Sequence, residues 1–192
     1  MNIVDRAKNI ILKPKDEWTL IDQEETTVAS LLATYLFPLA LIPAIAAFIG
    51  YGVIGVAFFG PIPSWGFKMA IISLVSTILG AFVSGKVIEI LAPNFGSTKD
   101  FRKTMQLVVY AYTPFMLAGA FQAIPVLGIL GIVGLYGLYL LYIGLKPMLK
   151  TPDDKVTVFF VVSLLVIVAV YFIIGAILSA FLISKTYSMI PQ

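Results

Sequence analysis

Lys86 and Glu89 are the residues of this 192-residue chain best suited to chemistry inside a membrane. They stand three positions apart, so on a helix they share one face. The stretch that holds them, Trp65–Leu91, is almost wholly apolar. A charged residue at membrane depth marks a functional site by default. Helical rise supplies a second reading. From Trp65, about 20 residues rising 1.5 Å each cross a core about 30 Å thick and bring Lys86 to its boundary. There a lysine can snorkel its ammonium towards headgroups while pairing with Glu89. The sequence leaves both readings open.

Other catalytic sets are missing. The chain has no Cys and no His, which removes thiolate nucleophiles, imidazole acid–base catalysis and the usual zinc sites. Nine of the ten acids fall in segments expected to face water: Asp5, Asp16, Glu17, Asp22, Glu24, Glu25, Asp100, Asp153 and Asp154. Glu89 therefore lacks a second carboxylate for paired-acid chemistry. No phosphate-binding or dinucleotide-binding glycine loop occurs. The expectation is a protein that is no enzyme and needs no cofactor or metal.

The elements that position Lys86 and Glu89 are apolar spans. Hydrophobic residues make up 60% of the chain and charged residues 12%, about half the charged share of a soluble domain. Five stretches are candidates for crossing a bilayer: 29–49, 65–91, 104–121, 125–145 and 156–183. Basic residues favour alternate connections. Arg6, Lys8, Lys13 and Lys15 precede the first span, Lys99, Arg102 and Lys103 follow the second, and Lys146, Lys150 and Lys155 follow the fourth. Only Lys68 and Lys185 lie towards the opposite side, a positive-inside pattern. The expected fold is all-α: a polytopic bundle of five transmembrane helices, with the N-terminus in the cytoplasm and the C-terminus outside. The net charge of +3 marks membrane edges and does not point to nucleic acid.

Residues 1–28 read as a cytoplasmic amphipathic leader, since they hold ten charges and no central apolar run of the kind a cleaved signal needs. Ile3, Val4, Ala7, Ile10 and Ile11 share one helical face, flanked by Arg6 and Lys8, which suits an interfacial helix on anionic headgroups. Pro14 ends that helix. Span one contains Pro38 and Pro43 and is expected to bend within the bundle. Residues 50–64 are too rich in Gly and Pro to span again, and are expected at the outer interface with Phe58, Phe59 and Trp65 in the aromatic belt.

Small residues mark packing. Ser76, Gly80 and Ser84 are spaced by four in span two, and Gly175 and Ser179 repeat the spacing in span five, which lets helix backbones approach closely. Ser97-Thr98-Lys99-Asp100 resembles a capping box ahead of span three. Gly128, Gly131, Gly134 and Gly137 recur every three residues, followed by Tyr136, Tyr139 and Tyr142. On an α-helix that period drifts by about 60° per step, so the glycines are expected to wind around the helix. Thr151-Pro152-Asp153-Asp154 has the order of a cap, a first-turn proline and dipole-facing acids opening span five. Residues 184–192 form an external tail.

Two stretches carry a family likeness. Tyr110-Ala111-Tyr112-Thr113-Pro114-Phe115, and the run through Tyr139, Tyr142, Gly144 and Pro147, resemble the Yip family of five-span membrane proteins, named for interaction with Ypt/Rab GTPases. The Trp18 segment behind Pro14 is similar to the leader of bacterial members. The resemblance implies a cytosolic N-terminus, an external or lumenal C-terminus, and association with copies or relatives. Eukaryotic members act in ER–Golgi vesicle traffic. The chain departs from them in lacking the long cytosolic domain and its Asp-Leu-Tyr-Gly-Pro type motif, so a GTPase partner does not carry over. The compact form resembles prokaryotic members.

Two functions follow as expectations. One is a membrane-organising scaffold in the bacterial cytoplasmic membrane, working through oligomerisation and contacts with lipid or related membrane proteins. The other is a transporter, channel or lipid-moving protein with a cavity near Lys86 and Glu89, in which Pro38, Pro43 and Pro114 break helices and Gln106 and Gln122 add polar lining.

Overall fold

A computed structural model describes residues 2–55 and 60–187, with the side chains of 125 and 174–187 excepted. The described residues are helical almost throughout. Two short helices, α1 (Ile3–Leu12) and α2 (Pro14–Gln23), form the leader. Asn2 caps α1 by accepting the Asp5 amide at 2.8 Å, and Pro14 both ends α1 and opens α2. The first span runs through α3 (Val28–Leu31), a π segment (Leu32–Leu36), α4 (Phe37–Ala47) and a second π segment (Phe48–Ile54). The first π segment ends at Leu36, two residues before Pro38: the wider turn eases the clash between a proline ring and the carbonyl four residues earlier. Gly55 then turns the chain with φ +86°. Phe58 and Phe59 lie outside the described residues, while Trp65 is exposed.

Span two is α5 (Pro63–Leu91) with a 3-10 turn (Ala92–Phe95), closed by Gly96 at φ +69°. The third segment is no single helix. It comprises α6 (Phe101–Ala111), α7 (Thr113–Ala118) and a 3-10 turn (Gly119–Ala123), broken where Pro114 withdraws a donor. Asp100, and not Ser97, is the cap, accepting the amides of Arg102 at 2.8 Å and Lys103 at 3.2 Å. The fourth segment starts as an unusually long 3-10 helix (Pro125–Leu135) and continues as α8 (Tyr136–Leu149). Helix α9 (Val156–Tyr187) is the last described element, and the chain beyond it lies outside the described residues. Its onset at Val156 corrects the expected cap: the Thr151 hydroxyl donates to the Leu145 carbonyl at 3.0 Å, and Pro152–Lys155 make a separate turn.

Four helical stretches among the described residues are long and apolar enough to cross a bilayer: Val28–Ile54, Pro63–Phe95, Val126–Leu149 and Val156–Ile173. The third segment fails that length test, yet it lies beside span one from end to end. Lys103 meets Asp22, the Gln106 amide meets the Glu24 carbonyl at 3.4 Å, and the Tyr35 and Thr113 hydroxyls lie 2.8 Å apart. Further along, Gly119 packs on Pro43, and Gly50 packs on the Gln122 carbonyl so tightly that a Cβ would collide with it. The two segments therefore run parallel, residue numbers rising together from Tyr35–Thr113 through Pro43–Gly119 to Gly50–Gln122. Every residue from Thr104 to Ala111 is buried, which makes α6 the centre of the bundle.

The leader corrects two expectations. Its apolar face, Val4 excepted, is turned into the protein: Ala7 is buried, Ile10 joins the main core, and Ile3 and Ile11 pack against it. Arg6 does not flank a membrane-facing surface either, and Glu17 does not face water; both are buried. The cause is their mutual pairing, which spares each from an uncompensated charge.

Candidate functional site

The leader is held by a polar cluster at the basic end of the bundle. Arg6 Nη1 donates to Glu17 Oε1 at 2.6 Å, Nη2 to Glu24 Oε1, and the guanidinium lies 5.4 Å from the Tyr110 ring centre. Trp18 is fully buried beside it, in a notch that Gly144 leaves on α8. A Cβ at Gly144 would come within 2.5 Å of Leu107 Cδ1 and 2.8 Å of Trp18 Cε2. Tyr110 stands edge-on to Trp18 at 6.5 Å and to Tyr35 at 4.7 Å, so the resemblance motif and the leader meet in one aromatic group.

Asp22 ties three separate segments together, taking bonds from Lys103 of α6 and Lys150 at the end of α8. Burial opposes ionisation of Asp22, but the hydrogen bonds and charges of the two lysines outweigh it and hold the carboxyl below its ordinary value. Nearby, the Thr98 amide donates to the Leu149 carbonyl at 2.8 Å, and Ser97 Oγ donates to Thr151 Oγ1 at 2.9 Å.

Lys86 and Glu89 form an ion pair at 2.6 Å on the side of α5. The lysine side chain is 56% exposed and the glutamate 11%, with the ammonium 5.1 Å from the Phe101 ring centre. Phe101 opens α6 at the basic end, so the pair stands at that end of α5.

The small-residue stripe lies beside a different feature. Ser76, Thr77 and Gly80 line a recess of about 580 Å³ with Tyr112, Gly131 and Tyr171. Lys86 and Glu89 are not among its walls. Ser84 Oγ lies 2.9 Å from Tyr112 Oη, which also donates to the Gly80 carbonyl at 3.3 Å. Gly80 gives the Tyr112 and Tyr171 hydroxyls room against the helix backbone. Gly175 and Ser179 lie outside the residues whose side chains are described.

The glycine run overturns its sequence reading. From Pro125 to Leu135 the helix is 3-10, with three residues per turn, so Gly128, Gly131 and Gly134 stack on one face instead of winding. Gly134 packs on Phe115, and Gly137 in α8 packs on the Ala111 carbonyl. Gly128 and Gly131 face open space. The flanking Val126, Ile129 and Ile132 are 84%, 79% and 66% exposed. Of the other motif residues, Pro114 opens the break in the third segment, Tyr139 is exposed, Tyr142 Oη lies 3.2 Å from Thr157 Oγ1, and the Pro147 carbonyl accepts from Lys150 Nζ at 2.8 Å. Gly50, Gly52 and Gly66 pack backbone to backbone at the far end, a contact that their spacing did not announce.

Helices this apolar, packed around a buried polar-capped centre, define an integral, polytopic helical membrane protein. Residues 8–183 match the family model described as Yip1 domain, and the chain belongs to that family. No curated protein and no solved structure matches it.

Proposed function

We propose that this Yip-family chain is a non-enzymatic membrane-organising protein that acts by self-association. The observation that carries the reading is the open glycine face of the fourth segment. A Cβ at Gly128 or Gly131 would meet nothing within 4 Å, Gly131 bordering the recess beside Tyr112, on a helix flanked by exposed Val126, Ile129 and Ile132. Lipid provides no hydrophobic drive between helices, so bare backbone that permits close approach is what favours association. Gly80 is a weaker candidate for that contact, since its space is taken by tyrosine hydroxyls of the same chain.

Five segments cross the membrane in this reading, the third as a broken helix sheltered by its neighbours. Support comes from its full-length parallel course beside span one, which five alternating crossings require of spans one and three, and from its burial, which lets protein satisfy what Pro114 frees. With the basic end in the cytoplasm, the N-terminus lies inside and the C-terminus outside, in a bacterial cytoplasmic membrane. Energy transfer between donor- and acceptor-labelled chains tests self-association. It should persist when lipid is increased tenfold at constant protein; loss in proportion to dilution rejects it.

A lipid-moving role is the second reading, favoured by the recess of about 580 Å³ that pairs apolar walls with the Tyr112 and Tyr171 hydroxyls. Lipid translocation by purified chain in liposomes, abolished by Gly80→Leu, would favour it over the first.

A further inference from the structure

We infer that the outward face of the leader is a binding site for an anionic phospholipid, distinct from the apolar face that the amphipathic pattern suggests. That apolar face is consumed by the bundle. What remains outside is a row spaced by four, Val4, Lys8 and Leu12, which continues into the elbow at Lys13 and Lys15. Val4 is 69% and Leu12 65% exposed. Large apolar side chains alternating with lysines suit the boundary where headgroups meet hydrocarbon.

Among the described residues the charge pattern leaves these lysines without a carboxylate, as it does Lys68, Lys99, Arg102 and Lys155. Of those at the basic end, only the leader trio stands beside exposed apolar side chains of its own helix row. Arg6, Lys86, Lys103, Lys146 and Lys150 are each taken by a carboxylate of the chain. The ammonium groups of Lys8, Lys13 and Lys15 have no such partner among the described residues. Of the exposed acids beside them, Asp5 and Asp16 stand in the first turns of α1 and α2, where helix dipoles already engage them, and Asp153, which shares a groove with Lys15, is paired with Lys146.

The surroundings supply a place for the lipid tail. Next to the elbow is a recess of about 660 Å³, walled by Ile11, Pro114, Leu117, Phe121, Val133 and Tyr136. The Tyr136 hydroxyl donates to the Ile11 carbonyl at 3.0 Å and fixes the elbow against the fourth segment. The elbow therefore stands where the bundle surface becomes apolar. A phosphate on Lys8, Lys13 and Lys15 leaves the acyl chain of the same molecule facing this recess.

Spin-labelled phosphatidylglycerol and phosphatidylcholine, compared on the full chain reconstituted in phosphatidylcholine, test the site. The wild type should prefer phosphatidylglycerol by at least about fivefold, the equivalent of one engaged lysine. The Lys8→Gln/Lys13→Gln/Lys15→Gln variant should lose the preference, while the corresponding triple Arg variant keeps it. Lys99→Gln/Arg102→Gln/Lys155→Gln should leave it in place. Unchanged Trp18 emission in each variant, read in a Trp65→Phe background, reports a docked leader. The proposal is overturned if the wild type shows no preference, if the leader variant retains it, or if the loop variant alone abolishes it.

Discussion

Asp22 and Lys103, 81 positions apart in the chain, meet at 3.0 Å and lock the leader to the start of the central helix. Lys150 binds the other oxygen of the same carboxylate, so one side chain joins the leader to both basic loops. Asp22→Asn should therefore loosen the leader at neutral pH by about 1 kcal/mol, discounted because Lys150 is largely exposed. Hydrogen exchange of α2 amides would register it.

The same carboxylate sets a pH dependence. Its folded-state pKa lies below the ordinary 3.8, so its stabilisation is present above that value and is lost as pH falls through the folded value. Leader protection in the wild type should thus decline on acidification below about pH 4, and that portion of the decline should be absent in Asp22→Asn. Equal acid sensitivity in the two proteins would count against it.

Arg6 and Glu17 form a buried pair with both side chains under 10% exposed. Arg6→Met strands a buried carboxylate and should cost about 3 kcal/mol or more. Arg6→Met/Glu17→Met should recover much of that loss, because the charge left without its partner, Glu24, is 35% exposed and stays solvated. Reversible unfolding of the purified chain in mixed micelles measures both. A double variant no more stable than the single one would contradict the pairing.

Gly144 leaves the notch that Trp18 fills. Gly144→Leu should expel the indole, at about 1–3 kcal/mol for overpacking, and shift its emission to the red. In a Trp65→Phe background Trp18 is the sole tryptophan, which makes the readout unambiguous. An unshifted spectrum would mean that the leader docks elsewhere.

Much of this fold is legible in the sequence because hydropathy and proline act locally. The spans at Val28–Ile54 and Pro63–Leu91 follow their apolar runs to within a few residues. Partners were harder to read. The leader's apolar face suits either a bilayer or a protein surface, and only the third dimension brings Glu17 and Glu24 to Arg6. The third segment reads as a plain span, since Pro114 gives the place of a break but not its burial. The glycine run winds only on an α-helix, and this segment is 3-10. A strict three-residue period is itself the signature of three residues per turn, and Gly128, Gly131 and Gly134 carry it. Lys86 and Glu89 pair as their spacing allows, whereas the recess beside Gly80 depends on Tyr112 and Tyr171 arriving from distant segments.

The open glycine face is the centre of the proposed function, and the absence of native cysteine allows it to be probed one position at a time. Single cysteines at Ile129, Ile132, Ile72 and Leu165, all exposed on the apolar surface, should be oxidised in native membranes and scored for disulfide-linked dimers. Dimers are expected at Ile129 and Ile132, and should disappear when Gly128→Leu and Gly131→Leu are added. Cross-linking confined to Ile72 or Leu165, or none at any of the four positions, would contradict association through this face.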